Sequence, residues 1–239
     1  MRCMRRWFRL RVRASRLVTY SSFVAETLGG GLTAAAAVLS ALAFFLSVLF
    51  LAQAGAPSSG LFALLFLTNV GYSAIALSGA SAMVNDLRGS AQVFLSQPLS
   101  RTIYVLAWLV ALLASMIAVF SALLFSLAVI DPGLLGTLSL GTALAWLLDS
   151  ALLSLLLLAA ALLLRRTSAL VITWAAVEFG VSLLFFSERL AQAVVVLRPL
   201  YGVLSRGGAV DTPVLAGSAL LAAALLALLY WLARARLEV

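Results

Sequence analysis

Six stretches of the chain are each about as long and as apolar as a membrane span requires: Gly31–Ala52, Leu61–Met83, Ile103–Ile130, Gly141–Leu164, Ala169–Phe186 and Val214–Ala233. A transmembrane helix needs about 20 predominantly apolar residues. The stretches are rich in Ala and Leu and lack period-2 alternation, which excludes barrel strands. With 64% hydrophobic and 10% charged residues in 239, there is more apolar surface than one soluble core can bury. The sequence therefore predicts an all-α integral membrane protein with six transmembrane helices.

Residue types that are absent exclude several chemistries. There is no histidine, so Ser–His triads and His-ligated metal sites are impossible. The single cysteine, Cys3, rules out an intrachain disulfide and a Cys-based metal cage. All 16 basic residues are arginine, so the lysine of a P-loop is missing. The chain is expected to be no enzyme, to bind no cofactor or metal, and to hydrolyse no ATP by that route. The net charge of +8 does not point to nucleic acid, because the arginines sit at the ends of apolar segments.

Arginine placement sets the orientation. With the N-terminus in the cytoplasm, thirteen arginines lie inside and three, Arg189, Arg198 and Arg206, lie outside. The positive-inside rule selects this topology for the cell membrane, and six spans return the C-terminus to the cytoplasm. Residues 1–30 are not expected to be a cleaved signal, because the apolar run begins too far from the start and is too long for an h-region. Arg2, Arg5, Arg6, Arg9, Arg13 and Arg16 recur at spacings of three and four, which lines them up along one helical stripe. The segment reads as an amphipathic helix anchored in the headgroup layer, or as a basic tail that only sets topology. Residues 31–239 then form the transmembrane domain.

Two connections stand out. The outer segment 187–213 contains Ala191, Val194, Val195 and Leu204, too apolar for a free loop, and is expected to rest on or dip into the outer membrane face. Its alternative is a packed outer cap. The cytoplasmic loop 84–102 places Asp86 as an N-cap, with Leu87, Ala91, Phe94 and Leu95 on one helical face and Arg88, Gln92 and Ser96 on another. Pro98 stops that helix and Arg101 restarts the chain at the membrane edge. Such an element suits a groove on a partner protein, and otherwise only joins two spans.

This loop resembles that of the ABC-2 transporter membrane subunits. Gly89-Ser90, Phe94-Leu95 and Pro98-Leu99-Ser100-Arg101 match in order and spacing, while Asn85-Asp86 stands where Glu-Arg is common and Ser90 where threonine is. The resemblance implies an ABC-2 (type V exporter-like) permease with an N-terminal interfacial helix, a cytoplasmic coupling helix and an outer re-entrant segment. It further implies a dimer with a second permease subunit, identical or paralogous. A separate ABC ATPase subunit would carry ATP and Mg. Asp86, Arg88, Gly89, Phe94, Pro98 and Arg101 are then the ATPase-coupling candidates.

Two acids fall inside spans, Asp149 and Glu178, each eight residues from the outer end of its segment and so about 12 Å deep. The turn at Arg165-Arg166 makes their spans antiparallel neighbours, which allows the carboxyls to approach. No basic residue is read at that depth. One acid is therefore expected to be protonated, or both to face a hydrated cavity and line the substrate path. In the alternative each bonds a nearby Ser, Thr or Trp donor and only fixes packing. An ion-gradient-driven carrier using Asp149 and Glu178, and a non-transport membrane scaffold, are the competing functions.

Overall fold

The computed structural model describes residues 15, 17–22, 24, 26, 59–88, 101–130, 139–185, 195–200 and 211–237. The expected span at 31–52, the arginines from Arg2 to Arg16, and Gly89, Phe94 and Pro98 of the coupling loop lie outside the described residues. Among those described, the regular elements are helices, with no strand. Five long ones follow in order: α1 (Ser59–Arg88), α2 (Arg101–Ile130), α3 (Leu140–Leu164), α4 (Thr167–Phe185) and α5 (Thr212–Arg236).

Local sequence explains most of the ends. Ser139 caps α3, its hydroxyl accepting from the Thr142 amide at 3.1 Å. α3 stops at Arg165, whose φ of 50° is left-handed, and whose amide donates back to the Ala161 carbonyl at 3.1 Å. Asp211 stands at the N-cap of α5 with Pro213 in its first turn, where a missing amide hydrogen costs nothing. α1 runs further than expected. Asp86 lies in its last turn instead of capping a following helix, because residues 84–88 contain no breaker and the first glycine comes at 89.

Three of these helices are long and apolar enough to cross a membrane: Arg101–Ala122 within α2, Leu140–Leu164, and Thr212–Ala235. At 1.5 Å per residue, the 25 residues of α3 extend about 37 Å, more than the ~30 Å hydrocarbon core. α3 is the central element and packs against α1, α2, α4 and α5. Of its apolar window 67% is buried inside the protein, against 11% for α5. α5 therefore turns most of its apolar surface outward, including Leu220, Leu226, Tyr230 and Trp231.

Close packing relies on a few small residues. A Cβ built on Gly79 of α1 would fall 2.2 Å from Leu112 Cδ2 of α2, so any larger residue here must push the Leu112 side chain aside. Phe120 meets Trp146 edge-on, ring centroids 4.1 Å apart at 63°. Ser154 of α3 donates to the Met116 sulfur at 3.5 Å. These contacts lock α1, α2 and α3 into one apolar core with Trp108, Met83 and Leu153.

Candidate functional site

Among the described residues, two charged features of the helix bundle lie at different levels. The first is built on α3. Asp149 sits nine residues into this helix, about 14 Å from its first residue, and is 0% exposed. Its partner is Arg198, itself 1% exposed. The guanidinium grips the carboxylate with two bonds, Nε to Oδ1 at 3.0 Å and Nη2 to Oδ2 at 3.2 Å. Such bidentate, charge-assisted pairs are strong and fix geometry. They compensate a desolvation cost that either charge alone could not meet.

Arg198 reaches this depth because the chain before α5 folds inward. Residues 195–200 are helical but for Arg198 itself, and Val195, Pro199 and Leu200 are buried beside it. This segment is fastened to α5: the Ser218 hydroxyl donates to the Val196 carbonyl at 2.7 Å. Gly217 provides the space, since a Cβ there would meet Val196 Cγ1 at 3.2 Å and Cγ2 at 3.3 Å. α1, which buries Tyr72, packs against α3 as well.

This arrangement corrects one expectation. Arg198, assigned to the outer loop, supplies the cation at the depth of Asp149 that the sequence did not reveal. The carboxylate is neutralised by pairing, not by a Trp donor. Trp146, one turn away, packs on Phe120, and its buried Nε1–H has no acceptor among the described residues. The signal was present in Val194-Val195-Val196-Leu197-Arg198-Pro199-Leu200, where one arginine stands within an apolar run. α4 follows α3 through the Arg165-Arg166 turn and packs against it; Glu178 lies on α4, its side chain outside the described residues.

The second feature is an arginine-rich end. Arg88, the last residue of α1, donates twice to the Arg165 carbonyl, Nε at 3.1 Å and Nη2 at 2.6 Å. Arg101, the first residue of α2, donates from Nη1 to the Arg234 carbonyl of α5 at 3.4 Å. Asp86 accepts from the Tyr104 hydroxyl at 2.5 Å, which ties the end of α1 to the start of α2. Both stems of the 89–100 connection are therefore fastened, one to the α3–α4 turn and the other to the end of α5. Of the coupling candidates, Asp86, Arg88 and Arg101 meet at this end.

The described residues form a helical protein with three helices long and apolar enough to cross a membrane, a buried ion pair and a cross-braced arginine end. No family model matches the chain, and neither the curated proteins nor the solved structures contain a match.

Proposed function

We propose that the chain is the membrane-spanning permease subunit of an ATP-binding-cassette exporter. It pairs with a second permease subunit in the cell membrane, both termini cytoplasmic, and a separate ATPase subunit carrying ATP and Mg drives it. The loop motif between α1 and α2 supports this reading, and one structural observation carries it. Both stems of that loop are hydrogen-bonded to other helices, Arg88 to Arg165 and Arg101 to Arg234.

A loop hung between free helix ends would absorb a push from below. A loop whose stems are braced passes displacement to α3, α4 and α5 together. ATP shifts a transporter between states only if the motor holds one state better than the other. The bracing gives the motor a lever on most of the bundle. The Asp149–Arg198 pair lies away from that end and joins α3 to the segment ahead of α5. It serves as the fixed contact against which the braced ends move.

The test is a pull-down in mild detergent from the native membrane, read by mass spectrometry, on wild type and Phe94→Asp. Recovery of an ATPase subunit with wild type, lost in the folded variant, supports the assignment. An intact complex without any ATPase would overturn it in favour of a gradient-driven carrier or a scaffold.

A further inference from the structure

Between the first turns of α2 and the last three turns of α5 lies a groove of about 450 Å³. Val105 and Leu106 form one wall, and Leu226, Leu229 and Tyr230 the other. Small residues on α5, Ala227 among them, leave the space open. The groove follows α5 from Ala223 to Ala233, ten residues and so about 15 Å, which is half of the ~30 Å hydrocarbon core. Its length is that of one membrane leaflet.

The lining is almost wholly apolar, and an extended hydrocarbon chain matches both that lining and the length of the groove.

One end of the groove is cationic. The Arg234 guanidinium lies 4.8 Å from the centre of the Tyr230 ring, and that ring is part of the wall. Arg101, adjoining the lining residue Thr102, donates a single bond of 3.4 Å to the Arg234 carbonyl. A guanidinium has five donors, and the bonds made among the described residues leave most of them for a ligand. Among the described residues no carboxylate pairs with either arginine. Apolar walls one leaflet deep, closed by two arginines, complement an anionic amphiphile.

We propose that this groove is a binding site for an anionic phospholipid. One acyl chain lies along α5 and the phosphate sits between Arg101 and Arg234. The inference rests on the membrane setting of α2 and α5 and not on the transporter assignment.

The test uses the full chain, reconstituted into phosphatidylcholine vesicles containing a trace of phosphatidylglycerol with a photoreactive acyl chain. Vesicles with the matching photoreactive phosphatidylcholine are the control. Labelled peptides are read by mass spectrometry. The expected result is labelling within 223–233, with a preference for the anionic lipid of about fivefold per arginine. Arg234→Gln, at an exposed position, lowers that preference about fivefold, and adding Arg101→Gln abolishes it. Ala227→Trp fills the groove and removes labelling by both lipids. Equal labelling by the two lipids in wild type overturns the proposal. So does labelling that persists in a folded Ala227→Trp variant, or its absence from 223–233 in folded wild type.

Discussion

Asp149 and Arg198 are both about fully buried, and each satisfies the other through two bonds. Removing one partner leaves an uncompensated charge inside the protein, which costs about 3–5 kcal/mol. Arg198→Met is therefore expected to lose most folded protein in a thermal challenge followed by size-exclusion chromatography. Arg198→Met combined with Asp149→Leu should recover most of it, since apolar replacement of a whole buried pair is often neutral or better. If the double variant is no more stable than Arg198→Met, the pair is not what holds this region. A milder effect is expected at Gly79. Its replacement by Ala forces Leu112 aside at a cost of about 1–3 kcal/mol. Leu112→Ala should relieve that strain, a coupling visible as non-additive denaturation midpoints in a double-mutant cycle. At this scale the sequence was only half legible. The intramembrane acid stands out by its cost, but its partner lies 49 positions away in a segment read as outer loop. Only tertiary folding reveals that pairing.

Helix ends were more readable than their contacts. The expected span Gly141–Leu164 differs from α3 by one residue, because a serine cap and an Arg-Arg stop are local signals. α1 outruns its expected end at Met83 because Asp86, a possible N-cap by sequence, continues the helix instead. An acid near a helix end is ambiguous by itself, and the Tyr104 hydroxyl that engages it belongs to another element. The Arg88 bonds to Arg165 join two such elements at an exposed site. Arg88→Ala should cost only about 1 kcal/mol of stability. On the proposed function it should nevertheless weaken communication. The measurement is substrate-stimulated ATPase activity of the reconstituted complex, expected to drop while the complex still assembles. Unchanged stimulation would show that the bracing carries no force. Arg165 itself sits in the left-handed region, so Arg165→Gly should preserve the turn and its carbonyl, with stability unchanged or raised by up to about 1 kcal/mol in denaturant titration.

At the level of the whole molecule, the proposed topology rests on the arginines, which by the positive-inside rule assign each end to a compartment. Ser139, before α3, and Ser168, after the Arg165-Arg166 turn, are both exposed and lie at opposite ends of that helix. In a Cys3→Ser background, Ser139→Cys should react with a membrane-impermeant maleimide in intact cells. Ser168→Cys should react only after permeabilisation. The reverse pattern would invert the orientation derived from the positive-inside rule. The packing order of the helices was not legible beforehand. Every span is apolar nearly all round, so no stripe in the sequence marks α3 as central or α5 as peripheral.

The separation of Asp149 from Arg198 also has a temporal side. A ribosome adds about 5–20 residues per second, so the carboxylate is made about 2.5–10 s before its guanidinium, 49 residues later. During that interval Asp149 lacks the partner it has in the folded protein. Insertion of α3 then carries the cost of an acid without its cation, about 2.5–3.5 kcal/mol on insertion scales. Completion of the pair awaits synthesis of the segment ahead of α5. A chain truncated before Arg198 would display its own defect to cellular quality control.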